Sequence, residues 1–318
     1  MGGTWMADTG TTQHALGDRA AFQLANVTKT PPQYGAITPR WLVRLLDWKP
    51  VEAGTLRVNR VVGDASVEVI CEPKEERALP AAYANYDDKP REYTLNAISS
   101  VLQVATKVSD LYSNPYDQIR EQLRLTIETV KERQESELIN NSGYGLLTNV
   151  PPGQRIQTRK GPPTPDDLDD LLAKVWKEPS FFLAHPRAIS AFGRECTRRG
   201  VPPATITMFG APFITWRGVP LVPIDKLHVD GKTQPSAAGG KTSILLLRVG
   251  EKKQGVIGMY QPGLPGEQTP GLSVRFMGID HKSIASYLVA LYCSAAVLTD
   301  DAIAALDQVD VGSYHEYK

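Results

Sequence analysis

The stretch of this chain that comes nearest to recognisable chemistry is Gly240-Lys241-Thr242, which reads like the end of a phosphate-binding loop. Such a loop has to leave a strand and open a helix, so that the helix N-terminus meets the phosphate. Here Pro235 stands where the first glycine belongs, and the next residues, Ser243 to Val249, read as a strand. Nucleotide binding is not expected. The five histidines, His14, His185, His228, His281 and His315, are dispersed, and HExxH, GxSxG and GxGxxG are all missing. His185 precedes Pro186 and suits a helix cap better than a general base, while Asp280-His281 reads as a turn. Cys71, Cys196 and Cys293 are an odd number, widely spaced and without a CxxC, which fits reduced, buried thiols in a cytoplasmic protein. The expectation is no catalytic site, no metal and no cofactor.

Composition narrows the partners. With 318 residues, of which 42% are hydrophobic, the chain can bury a sizeable core in one large domain or two. Its 35 basic and 35 acidic residues cancel, so no net field draws in nucleic acid. The N-terminus through Leu24 lacks the apolar segment of a secretory signal, and Met6 stands where a myristoylation signal needs Ser or Thr. The longest apolar run, Tyr287 to Leu298, contains Ser294 and falls well short of the roughly 20 residues of a membrane span. No nucleic acid, no membrane and a cytoplasmic location are expected.

The elements that would position any function centre on Asn114 to Tyr144. Asn114 can cap a helix and Pro115 suits its first turn. Tyr116, Ile119, Leu123, Ile127, Val130 and Leu138 recur at helical intervals, Gln134 breaks the stripe, and charged residues including Glu135 and Glu137 take the other faces. Arg124 with Glu128 and Lys131 with Glu135 are spaced as exposed pairs, and Gly143 and Gly145 end the run. A helix of about 26 residues is roughly 39 Å long, well beyond the globular average. Two readings stay open: a core helix with a solvated flank, or a structural spine in an assembled shell.

Taken in order, Ala15 to Asn26 reads as a short helix. Pro31, Pro32 and Pro39 then force an extended arm that ends by burying Trp41, Leu42, Leu45, Leu46 and Trp48, against either its own domain or a neighbour's. Period-two alternation of Leu56 and Val58, then of Val67, Val69 and Cys71, around Gly63-Asp64 predicts a β-hairpin, with Pro73 to Arg91 as a loop or strand return. An isolated ribbon is marginally stable, so it should lean on something else. Leu95, Ile98, Leu102 and Ala105 predict a short helix. Thr164-Pro165-Asp166-Asp167 caps a helix whose apolar face is Leu168, Leu171, Leu172, Val175 and Trp176. Pro186 opens another, with Ile189, Phe192 and Cys196 inward and Gly200 at its end. Strands come next at Thr205 to Phe209, Phe213 to Trp216, Val219 to Val222, Ser243 to Val249, Val256 to Tyr260 and Leu272 to Met277. Tyr287 to Leu298 fits strand or helix, and Thr299 with Asp300 and Asp301 starts a last short helix.

In that order the parts resemble a known family. TKTPPQ from Thr28, PRWLVRLLDW from Pro39, GTLRVNR from Gly54, ERQESELINNSGYGLL from Glu132, FGAPFITWRGVPLVPIDKL from Phe209, GLPGEQTPGLSVRFMGIDHKSIASYLV from Gly263 and SAAVLTDDAIAAL from Ser294 are similar to segments of the family 2A encapsulins. These are bacterial shell proteins with the capsid fold of the tailed phage Hong Kong 97 (HK97). The resemblance covers nearly the whole chain. It implies an α+β, HK97-like fold: an N-terminal arm over 1–50, an extended loop over 51–92, a peripheral domain with the spine helix over 93–164 and 250–318, and an axial domain over 165–249. Nothing is long enough to be the cyclic-nucleotide-binding insertion of family 2B. The resemblance further implies a homo-oligomer of 60 subunits in a T=1 icosahedral shell, enclosing a cysteine desulfurase cargo held through its disordered N-terminal region. Pro31, Pro32, Trp41 and Trp48 would then serve the assembly arm, and Leu56, Val58, Val67 and Val69 the extended-loop contacts. Val201, Pro202 and Pro203, or Asp230, Gly231 and Lys232, would rim a pore. Alternatives are a phage or prophage major capsid protein and a soluble α+β enzyme.

Overall fold

The computed structural model describes residues 37–59, 61–62, 85–105, 118–230 and 240–314. The expected helix over Ala15 to Asn26, the proline arm with Pro31 and Pro32, the cap at Asn114, and Val67, Val69, Cys71, Gly231 and Lys232 lie outside them.

A five-residue helix, α1 (Trp41–Leu45), opens the described chain and runs into β1 (Asp47–Pro50). Trp41, Leu42 and Leu46 are buried. β2 (Thr55–Val58), β3 (Val61–Val62), β4 (Asn85–Tyr86) and β5 (Arg91–Thr94) form the extended ribbon. Its pairing differs from the expected hairpin: Leu56 stands opposite Tyr93 and Val58 opposite Arg91, with Val61 opposite Tyr86, so the return strands are residues 85–94 rather than 67–71. Alternation marks strands but does not name their partners. The ribbon's base is held to its own chain, because Tyr93 is buried and its hydroxyl donates to the Val297 carbonyl at 2.7 Å.

β6 (Asn96–Ala105) overturns the short helix expected over Leu95 to Ala105. Ile98 and Leu102 do sit four apart, but Ser100 and Val104 share their half-buried side, and the opposite side is exposed throughout. A ten-residue antiparallel ladder with a later strand fixes that period-two choice.

The long helix is α2 (Gln118–Asn140), 23 residues or roughly 35 Å. Leu123, Ile127 and Val130 pack on the sheet below it, and Leu138 and Ile139 enter the largest core cluster. Two expectations change. Gln134 does not break the buried stripe but belongs to it at 7% exposure, and Glu135, expected on the solvent face beside Lys131, is 1% exposed. Arg124 pairs with Glu121 rather than with Glu128. After Asn140, the Asn141 Oδ1 accepts from the Gly143 N–H at 2.8 Å. A Cβ at Gly145 would lie 2.3 Å from the Asn141 carbonyl oxygen, so only glycine closes this turn.

β7 (Arg155–Gln157) precedes α3 (Pro165–Lys174), where Thr164 and Asp167 form the expected capping box. Trp176 is 70% exposed, contrary to the expectation that it completes the apolar face. The helix stops at Lys174, and Val175, at φ −112°, takes the chain out of helical register. β8 (Phe181–Ala184) leads into α4 (Pro186–Arg198), whose N-terminus is capped by His185: its Nδ1 accepts from the Arg187 N–H at 3.1 Å. β9 (Ala204–Met208), β10 (Ala211–Trp216), β11 (Val219–Pro223), β12 (Lys241–Leu247) and β13 (Val256–Tyr260) succeed one another much as expected; β14 (Glu267–Thr269) is an additional short strand, and β15 (Leu272–Ile279) is the last of the expected set.

Of Tyr287 to Leu298, all but Leu298 resolves as strand, within the 14-residue β16 (Ile284–Val297). The last expected helix does not form. Asp300–Ala302 is a single 3-10 turn, and Ile303 to Asp310 is strand β17. Ile303, Ala304, Ala305 and Leu306 are all fully buried, as a strand covered on both faces requires.

Two sheets organise the result. In the first, β16 pairs with β6, β15 and β13, and β1 adds parallel to β13 at its edge. The second runs β7-β17-β12-β8-β11-β10-β9, so the sheet carrying residues 181–247 also takes strands from 155–157 and 303–310. α2 lies over the first sheet, and α3 and α4 contribute to the core cluster of the second.

Candidate functional site

The chemistry that the sequence left unassigned stays dispersed. Among the described residues no group of three or more His, Cys, Asp and Glu is arranged to hold a metal ion. Cys293 is buried beside Gln134, and loss of water pushes its thiol up to about 12. Burial likewise pushes Cys196 up to about 11, so both are thiols rather than reactive thiolates at neutral pH. Asp280 closes a turn, accepting from the Lys282 and Ile284 N–H groups, as expected for Asp280-His281. Lys241 starts β12 and donates to the Gln308 side chain at 2.8 Å.

What the fold does concentrate is contact chemistry at the base of the arm. Three α2 carboxylates, at positions four and then three apart, grip alternate residues of the chain entering α1 and its first turn. Glu132 accepts from the Thr38 N–H at 2.8 Å, Glu128 pairs with Arg40 at 2.6 Å, and Glu135 accepts from the Leu42 N–H at 2.9 Å. Lys226 closes the cluster on Glu132 at 2.9 Å. Helical spacing explains the set, because i, i+4 and i+7 share one face. Burial pushes the Glu135 carboxyl up to about 7, against the opposing pull of the Leu42 N–H and Lys226, with Glu132 and Asp225 adding to the rise.

The two tryptophans expected in the arm pack on their own chain. Trp41 meets Phe213 edge-on at 5.2 Å and Phe209 at 5.6 Å, at the tip of the β9-β10 hairpin. Trp48 donates from its indole to the Val43 carbonyl at 2.8 Å and covers Gly258. Leu56 and Val58 pack, partly buried, against Val51, Tyr93, Ile257, Met259 and Ala296 of their own chain. Between α1, α2 and the first sheet lies a cleft of about 440 Å³ with Trp48, Tyr260 and Leu291 in its wall. Its charged wall residues are Arg40, Arg44 and Lys131.

Elsewhere the surface is apolar where a lone monomer would be polar. Val101, Phe276, Met277 and Ile279, all more than half exposed, stand on strands that pair through β16. Of the expected pore residues, Val201 is exposed, with Pro202 and Pro203 in the link from α4 to β9, and Asp230 bridges to Lys241 at the start of β12. The carboxylate triplet on α2 is a site that sequence reasoning misses. Its spacing is visible, but nothing local tells a gripping carboxylate from a solvated one.

Comparison with known proteins adds a direct likeness. Residues 53–313 match the model of the SrpI-like family, described as type 2A encapsulin shell protein SrpI-like. The type 2A encapsulin shell protein SrpI of Synechococcus elongatus (strain PCC 7942) is 66% identical over 306 residues, covering 96% of this chain and 97% of that protein. The cryo-EM structure of the holo-SrpI encapsulin complex from the same organism superposes with a TM-score of 0.81 at 65% identity, covering 96% of this chain and 99% of that one. The capsid of a native GTA particle is similar at a TM-score of 0.58 and 15% identity, over 93% of this chain and all of that one.

Proposed function

The chain belongs to the SrpI-like type 2A encapsulin shell family, and from that premise we propose that 60 copies close into an icosahedral compartment enclosing a cysteine desulfurase. The fold is the α+β HK97 capsid fold, which the distant GTA capsid shares. In this reading the protein is not a catalyst. Its work is done by surfaces, and the desulfurase is held through its own disordered N-terminal region. The observation that carries the reading is likeness over 96% of the chain: 65% identity and a TM-score of 0.81 to a subunit of a holo complex.

The parts take roles accordingly. Residues 1–50 act as the arm, to which Pro31 and Pro32 belong, while Trp41 and Trp48 anchor its base. Residues 51–92 form the extended loop, which completes its burial on a neighbour through Leu56, Val58, Val67 and Val69. Residues 93–164 and 250–318 make the peripheral domain and 165–249 the axial domain, whose loops at Val201 to Pro203 or Asp230 to Lys232 rim a pore. The two-stranded ribbon supports this reading, since such a ribbon is only marginally stable alone. The compartment lies in the cytoplasm, where free Cys196 and Cys293 stay reduced.

Size-exclusion chromatography with negative-stain imaging of the chain expressed alone tests the shell. Uniform hollow particles are expected, and a monomer or dimer of the 34.8 kDa chain overturns the reading. Co-expression with the desulfurase tests the guest. The full enzyme should co-purify with particles, and an enzyme lacking its N-terminal region should not.

A further inference from the structure

The chain enters α1 through a bend that is held rather than relaxed. Arg40 takes a left-handed conformation, φ 50° and ψ 53°, which is sterically unfavourable for any residue with a side chain and persists only where its surroundings impose it. What imposes it comes from one face of α2. Glu128 holds the Arg40 guanidinium at 2.6 Å, with Glu132 at 3.6 Å, and Glu132 also accepts from the Thr38 N–H and hydroxyl. Glu135 completes the grip but differs in kind: it is 1% exposed, accepts from the Leu42 N–H, and has no ion pair among the described residues. Facing it are Glu132 on its own helix and Asp225 and Lys226 in the link after β11. Arg40 is turned to Glu128, Arg44 lies against the Trp41 ring, and Lys131 lines the cleft. Four carboxylates, Glu128, Glu132, Glu135 and Asp225, thus share two cations, Arg40 and Lys226.

We propose that the base of the arm is a proton-operated latch: with Glu135 protonated, α1 is shut on α2, and with Glu135 ionised the segment from Thr38 to Leu46 is released to swing about Arg40. A protonated carboxyl still offers the Leu42 N–H an acceptor and buries no charge. Once ionised, it adds a buried charge to the strain at Arg40, and both favour opening. Burial pushes the closed-state carboxyl up to about 7, whereas opening returns it to water, where it titrates near 4.5. Closure is therefore tightest below pH 4.5, weakens as pH rises to about 7, and stays weak above it. What a released arm does to a neighbouring copy rests on the compartment reading above; the latch itself belongs to the single chain.

Hydrogen exchange of the full chain reads the latch, at pH 5 and pH 8 with rates corrected for the intrinsic effect of pH. The Leu42, Arg44 and Leu46 amides each donate within it. Their protection should fall by about tenfold or more between pH 5 and pH 8, while the amides of β12 and β17 keep theirs. Glu135→Gln keeps the acceptor without the charge. It should protect the same amides about thirtyfold better than the unaltered chain at pH 8 and only a few-fold better at pH 5. Equal protection at the two pH values in the unaltered chain overturns the latch, and that measurement needs no variant to fold. A Gln variant that gains protection equally at both pH values shows a structural effect without a proton trigger and overturns it too. Particle formation is scored on the same samples: a latch that works in a chain that does not assemble overturns the compartment reading alone, and particles without the pH response overturn the latch alone.

Discussion

Glu135 holds the start of α1 by accepting the Leu42 N–H, yet it does so with a carboxyl whose burial pushes it up to about 7. A carboxyl raised in the fold contributes stability that is fully present below its unfolded value near 4.5 and is lost as pH rises through about 7. Glu135→Gln keeps an acceptor for the Leu42 N–H without the buried charge. It should therefore raise stability at pH 8 by roughly 2 kcal/mol and change little at pH 4.5, as read from thermal unfolding of particles at both pH values. Asp301 is the opposite case. The Arg248 guanidinium, 2% exposed, donates to it at 2.8 Å and holds its carboxyl well below the usual range. Its stabilisation is present above pH 4 and is lost on acidification. Asp301→Asn leaves a buried guanidinium without its counter-charge, and a loss of about 3 kcal/mol is expected in denaturant unfolding.

At the scale of elements, the junction of β1 with β13 depends on Gly258. A Cβ there would lie 2.7 Å from the Trp48 ring, inside any real contact. Gly258→Ala should displace Trp48 and loosen β1, costing roughly 1–3 kcal/mol and raising Trp48 solvent exposure in fluorescence quenching. Such a contact between distant segments marks where sequence reading stops. The caps at Thr164 and His185 are legible because a cap is written in residues three or fewer apart. β6 is not, since Ile98 and Leu102 satisfy both periods and only the ladder with β16 decides. β17 is hidden for a similar reason: Ile303 to Leu306 is apolar without alternation, which marks a strand buried on both faces only once β12 and β7 are known to flank it. The wall of the cleft draws on α1, α2 and four strands, so no single stretch could announce it.

For the molecule as a whole, the ribbon of β2 to β5 stands, among the described residues, as separate two-stranded pairs outside both large sheets. Amides of residues 55–62 and 85–94 should exchange rapidly in unassembled subunits and slow markedly in particles, whereas those of β12 and β17 should be protected in both. Equal exchange of the ribbon in both states would mean that neighbours do not cover it. The position of β17 between β12 and β7 carries a different consequence. β7, β8 and β12 leave the ribosome well before β17 does, and until it arrives the second sheet is split in two, with β7 unpaired and one side of β12 open. A growing chain therefore cannot present a finished subunit, and closure of a compartment is deferred until translation has passed residue 310.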